Sequence, residues 1–238
     1  MLLWPENTMT AFRSAFDLGY RLFETDVRVT GDGELVAFHD GALNRTTNGS
    51  GPITATTWDQ LAELDAGFNH RIDGAFPFRG IGVRVPRFAE IAAAFPDCGL
   101  IVDLKAEGTV EPLIRILFDM EMTDRVIVGS FSGEHLARFR ELTGDRVATS
   151  TSPQEIIEKV IQASTGTNLS GPAGALQIPV TWYGVPLLTR RLVEAAHAGG
   201  RLVHVWTVNR RIDMEQLLEL GVDGLITDRP DLLTDLVA

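Results

Sequence analysis

The feature that most constrains this chain is an alternation. Short β-rich runs lie at Leu22–Thr30, Glu34–Asp40, Gly99–Lys105, Arg125–Phe131, Arg146–Ser150, Ala175–Thr181, Arg201–Val208 and Gly224–Asp228. Between them, apolar residues recur at helical spacing: Asn7–Leu18, Val85–Ala94, Val110–Met120, Gly133–Leu142, Pro153–Ala163, Thr189–Ala198, Ile212–Leu220 and Pro230–Val237. A strand plus a helix recurs about every 30 residues, the length of one βαβ unit. Parallel strands need such crossovers, because a tight turn can join only antiparallel ones. Over 238 residues the repeat predicts an α/β protein whose sheet closes into a TIM (β/α)8 barrel.

Two stretches break the repeat. Gly31-Asp32-Gly33 reads as a hairpin turn, so Glu34–Asp40 is an extension of one barrel unit rather than a unit of its own. Seven parallel strands then remain, and the chain opens on a helix signal, PENTMTAF, so the first barrel strand is expected to be absent from this sequence. Residues 41–84 are rich in Gly, Thr, Asn and Phe, with one helical pattern at Thr57–Leu64. They read as an insertion at one end of the barrel, within a single domain spanning residues 1–238.

Composition narrows the function classes. With 21 basic and 32 acidic side chains the net charge is −11. This argues against a nucleic-acid groove or a basic membrane-surface patch, both of which recruit Lys and Arg. No apolar run approaches the ~20 residues that span a bilayer. The single cysteine, Cys98, cannot form an internal disulfide, and MLLWPENT has no leader character. The expected location is therefore cytoplasmic, and a homo-oligomer is compatible with the sequence. An acidic protein that handles an anionic substrate should rely on a metal and a few local cations.

The candidate chemistry sits at strand ends. Residues two apart on a strand share a face, so FETD projects Glu24 and Asp26 together, with Arg28 beyond them. Strands of a parallel barrel are buried on both faces. Two close carboxylates there repel, and a divalent cation with a taste for oxygen (Mg²⁺, Ca²⁺ or Mn²⁺) relieves the repulsion. The bland alternative is a pair of exposed acids on an edge strand. Asp103 and Lys105 repeat the spacing in LIVDLK. They read as a third metal carboxylate and a phosphate-binding cation, or else as a structural ion pair. His39, closing AFHD, is the candidate catalytic acid/base, the alternative being a cap or core histidine. Trp206 is a candidate substrate-binding aromatic at the barrel rim, with rim packing as the alternative. His70, His135, His197 and His204 read as structural or exposed. Asn209 and Asp228 read as helix caps.

These motifs become specific together. PENTMTAF (Pro5–Phe12), FETDVRVTGDGELVAFHD (Phe23–Asp40), LNRTTNGSG (Leu43–Gly51), LIVDLK (Leu100–Lys105), VWTVN (Val205–Asn209) and GVDGLITDRP (Gly221–Pro230) resemble, in that order, the glycerophosphodiester phosphodiesterase family. The resemblance implies a TIM barrel with a small insertion after its second strand. It implies one divalent metal, Mg²⁺ or Ca²⁺, with Glu24 and Asp26 as two ligands. Asp103 stands where family members typically carry Glu, and Lys105 matches a phosphate-contacting lysine. His39 matches one of two catalytic histidines. The other belongs to a His-Arg-Gly motif that family members carry just before PENT, and the start of this chain is expected to be mis-assigned or trimmed. The implied activity is hydrolysis of a small-molecule glycerophosphodiester to glycerol 3-phosphate and an alcohol such as choline or ethanolamine. A family member that binds metal or phosphodiester without turnover is the alternative. A metal-dependent sugar isomerase would need further ligands on later strands, and none is visible there.

Overall fold

The computed structural model describes residues 3–144, 146–182 and 184–237. It resolves into two compact units, Met1–Val126 and Ile127–Ala238.

The first unit begins with α1 (Met9–Asp17), which starts where the Thr8 hydroxyl oxygen accepts the Ala11 N–H. Its buried face leads with Phe12. Phe12, Phe16, Phe23 and Phe95 form a chain of tilted and edge-on ring contacts with centroids 5.2–6.4 Å apart. That cluster fixes α1 against β1 (Leu22–Val29) and the end of α3 (Phe88–Ala94). β1 pairs with β2 (Leu35–Ala37) antiparallel and with β3 (Gly99–Leu104) parallel. The first pairing is the hairpin read from Gly31-Asp32-Gly33, and Gly33 supplies the turn's positive φ of 90°. The second places Asp26 directly opposite Asp103. β3 is continued by α4 (Val110–Asp119), which buries Val110, Leu113 and Leu117.

The stretch 41–84 is ordered by its own small core. Leu43, Ile53, Leu61, Ala66, Val83 and Val85 pack with Val36 and Phe38, and Trp58, Leu64 and Phe78 close the edge. The anticipated helix is α2 (Trp58–Ala62), held by a capping box between Thr57 and Gln60. Gly31 seats the β1–β2 turn against this region. Its N–H donates to Thr56 O, and a Cβ there would meet Thr54 O at 2.8 Å.

The second unit repeats the strand–helix rhythm. Its strands are β4 (Val126–Gly129, starting at the boundary), β5 (Ala148–Thr149), β6 (Ala175–Ile178), β9 (Leu202–Val205) and β10 (Gly224–Leu225). β4 pairs with β5, β6 with β9 and β9 with β10, all parallel. A parallel bridge between Ser150 and Ala175 links β5 to β6. The helices are α5 (Gly133–Thr143), α6 (Pro153–Thr165), α7 (Arg190–Ala198), α8 (Arg211–Leu220) and α9 (Pro230–Val237). Ser132, Ser152 and Thr189 cap α5, α6 and α7, and α6 adds Pro153 in its first turn. Arg140 of α5 is mostly buried. It bonds Thr149 Oγ1, Ser150 O and both oxygens of Glu155, tying α5, β5 and α6 together.

Two features differ from the sequence expectation. A short hairpin, β7 (Thr181–Trp182) with β8 (Val185–Pro186), follows β6. Two residues per strand leave no alternation to read. Asn209 is not a helix cap: the N-cap of α8 is Arg210, which makes no side-chain cap bond, and the Asn209 amide bonds Thr227 and Asp228 instead.

Candidate active site

β1 turns Glu24, Asp26 and Arg28 to one face, and β3 turns Asp103 there, with Lys105 just past its end. The structure draws Asp26, Asp103 and Lys105 into contact. The Lys105 ammonium lies 3.0 Å from Asp26 Oδ1 and 2.5 Å from Asp103 Oδ2. Each of the three side chains is at most 15% exposed. Glu24 stands on the same β1 face two residues before Asp26, opposite Ile101. Among the described residues, no group of three or more His, Cys, Asp or Glu is already gathered as a cage.

The charges in this cluster are not in balance. Burial is the largest influence on Asp103 and raises its carboxyl above the usual carboxylate range, although Lys105 opposes that. Burial also pulls on Lys105 in the direction of losing its proton. The two carboxylates outweigh it, so its net shift is upward and the ammonium stays charged. Two buried carboxylates thus share an ammonium, and Asp103 Oδ1 is buried with no hydrogen-bond partner. A buried acceptor left without a partner is costly. A small cation ligated by that oxygen would satisfy it and offset the excess negative charge. Arg28 adds positive potential beside Asp40, Asp26 and Asp103, and its own pKa is lowered, chiefly by burial.

Asp26 is also gripped from the other side. Asn7 Nδ2 donates to Asp26 Oδ2 at 2.8 Å, while Asn7 Oδ1 accepts from the Thr25 hydroxyl and the Asp26 N–H. Asn7 adopts a left-handed backbone, φ 53°, which Asn tolerates better than most residues. The second unit builds the same clasp, Asn209 on Thr227 and Asp228. Sequence reasoning missed Asn7 as a site residue. The signal was there: Asn followed by Thr-Asp at the same 18- and 19-residue separations in both halves.

His39 follows β2. Its Nδ1 lies 2.7 Å from Asp40 Oδ1 and its side chain is 50% exposed. The Arg28 Nε–H donates to its carbonyl at 2.7 Å. It is close enough to Asp103 for their charges to interact. Asp40 in turn accepts from Arg45, whose guanidinium also grips Glu6. Trp206 belongs to the second unit, where it meets Phe131 at 5.6 Å and Trp182 at 6.4 Å between ring centroids. Phe131 is half exposed. Of the remaining histidines, His204 is buried beside Gln177, His197 pairs with Asp223, and His70 packs edge-on to Phe78.

Comparison with known proteins gives these motifs a family. Residues 3–232 match the model of the glycerophosphoryl diester phosphodiesterase family. A probable glycerophosphodiester phosphodiesterase 2 of Mycobacterium tuberculosis is 33% identical over 98% of this chain and 85% of its own length. A glycerophosphodiester phosphodiesterase of Caldanaerobacter subterraneus subsp. tengcongensis is 32% identical over 98% of this chain and 92% of its own. Among solved structures, a glycerophosphoryl diester phosphodiesterase domain from Mycobacterium tuberculosis superposes with a TM-score of 0.87 at 21% identity, covering 99% of this chain and 95% of that one. An Oleispira antarctica phosphodiesterase, solved with its product sn-glycerol-3-phosphate, gives 0.79 at 24% identity, covering 99% and 92%. The shared fold is the TIM-barrel type that the β/α alternation predicts. By its matched span and its relatives, this chain belongs to the glycerophosphoryl diester phosphodiesterase family.

Proposed function

We propose that this protein is a metal-dependent phosphodiesterase that hydrolyses glycerophosphodiesters to glycerol 3-phosphate and an alcohol. The observation that carries the reading is the pair Asp26 and Asp103, opposed across β1 and β3, with an unpartnered buried oxygen on Asp103. Relatives that carry the phosphodiesterase name over nearly their whole length support it, as does the sn-glycerol-3-phosphate product of the Oleispira protein.

Glu24, Asp26 and Asp103 would hold one divalent cation, and their all-oxygen donor set suits Mg²⁺, Ca²⁺ or Mn²⁺. Such an ion, when bound, neutralises phosphate charge and lowers the pKa of bound water. Lys105, placed between Asp26 and Asp103, binds a non-bridging phosphate oxygen and stabilises the charge that develops there. His39 transfers a proton: water adds to phosphorus and gives up a proton to solvent, the P–O bond to the alcohol breaks, and the departing oxygen receives a proton from the imidazolium, which is left neutral. Residues 1–238 act as one catalytic domain, with 41–84 as its insertion.

The test is release of glycerol 3-phosphate from glycerophosphocholine and glycerophosphoethanolamine by the protein. Activity should vanish with chelator and return with Mg²⁺, Ca²⁺ or Mn²⁺. No hydrolysis of any glycerophosphodiester under these conditions overturns the assignment. The shorter carboxylate at Asp103 favours a second reading, a protein that binds metal or phosphodiester without turnover. Metal binding by calorimetry with no product would establish it.

A further inference from the structure

His39 is a surface residue, and a surface imidazole can rotate and exchange tautomers freely. Here it is held at two points. Its carbonyl accepts from Arg28 Nε at 2.7 Å, and its ring nitrogen Nδ1 meets Asp40 Oδ1 at 2.7 Å. Asp40 is itself fixed. Arg45 Nε donates to Asp40 Oδ2 at 2.6 Å and Arg45 NH2 to Asp40 Oδ1 at 3.0 Å. The same guanidinium reaches Glu6 with both terminal nitrogens, at 2.7 and 2.5 Å. Glu6 belongs to the PENT motif ahead of α1, and Arg45 to the LNRTTNGSG motif of the insertion. Asn7 of the first motif clasps Asp26, whereas the Glu6–Arg45–Asp40 chain leads to His39.

We infer that Asp40 and Arg45 are positioning residues, which lock the His39 ring with its proton on Nδ1 so that Nε2 is the atom that exchanges a proton with substrate. The inference rests on the reading of His39 as the proton-transfer group. Its logic is that of an acceptor. Hydrogen bonds from Arg45 hold the Asp40 carboxyl down at about 2, so it remains a carboxylate and can only accept. Nδ1 must then donate, and in the neutral ring Nε2 is left as the acceptor. Arg45 remains charged, since its hydrogen bonds to Glu6 and Asp40 push its pKa upward.

Exposure separates this role from a stabilising one. The Arg45 side chain is 49% exposed. Ion pairs this open to water contribute little to folding. Their removal should therefore move turnover and tautomer while leaving the melting temperature near that of the wild type.

The experiment combines steady-state kinetics on glycerophosphocholine and glycerophosphoethanolamine with ¹⁵N NMR of the His39 ring. In Asp40→Asn, Arg45 keeps the amide oxygen and the amide nitrogen turns toward His39. The ring should switch to the Nε2–H tautomer and kcat should fall roughly 100-fold or more, with KM changed less than about twofold. Arg45→Met should cost about tenfold in kcat and broaden the tautomer equilibrium, and Arg45→Lys should restore part of both. Wild-type tautomer and kcat in both D40N and R45M, beside an inactive His39→Ala, overturn the inference alone. So does a loss of kcat in R45M that merely follows a lowered melting temperature. An active H39A instead overturns the reading of His39 on which the inference stands.

Discussion

At the scale of single residues, Asp103 is where stability and function pull apart. Its pKa is raised, chiefly by burial. A group whose folded pKa lies above its unfolded value stabilises the fold fully below the unfolded pKa, about 3.9 for Asp. That contribution is lost as pH rises through the folded pKa. Asp103→Asn removes the titration and keeps the shape. Without metal, the variant is expected to melt higher than the wild type at neutral pH, with the gap closing towards pH 4. Thermal unfolding across this range checks it, and a lower melting point at pH 7 would mean that the Lys105 pair outweighs the burial. Asn7→Ala removes three hydrogen bonds to Thr25 and Asp26. A loss of about 1–3 kcal/mol in denaturant unfolding is expected, with metal affinity by calorimetry about tenfold weaker. Unchanged affinity would make the clasp purely structural. The closeness of Asp26, Asp103 and Lys105 was legible in the sequence because strand geometry puts residues two apart on one face, and His39 was placed by the hairpin that follows them. Asn7 and Arg45 were harder to read, because Asn7 reaches partners 18 and 19 residues away and Arg45 joins Asp40, five residues back, to Glu6, 39 residues back, and no local period records such links.

At the scale of elements, the sequence gives types well and lengths less well. Helices such as α6 announce themselves with Ser-Pro-x-Glu at the start and Gly166 in a left-handed conformation at the end. The strands are shorter than their apolar runs, for example Ala148–Thr149 within Arg146–Ser150. Apolar character continues into buried residues such as Val147 and Val208 that lie outside the paired strands. Register can hinge on one small residue. Gly224 of β10 lies opposite His204 of β9, and a Cβ there would come within 2.9 Å of His204 Cδ2. Gly224→Ala is expected to destabilise the protein by about 1–3 kcal/mol. Part of that should be recovered in a His204→Ala background, where a double-mutant cycle by denaturant unfolding isolates the clash. Simple additivity would show that the contact is not the cause.

At the scale of the whole molecule, the net charge is −11, so on the proposed function the binding of an anionic substrate falls to local cations. Lys105 and Arg28 are the cations that lie beside Asp26 and Asp103. The β/α rhythm was legible from end to end, and the ordered motifs named the family that the matched span of residues 3–232 establishes. The division into two compact units was not legible, since nothing in the strand–helix spacing changes near Val126. The most direct test of the account is hydrolysis of glycerophosphocholine by protein stripped of metal and then titrated with Mg²⁺, Ca²⁺ or Mn²⁺, with Asp26→Asn run in parallel. The account predicts that glycerol 3-phosphate is released only when metal is restored, and that D26N stays at least roughly 100-fold slower at saturating metal. Full turnover by the stripped protein, or wild-type turnover by D26N, would contradict it.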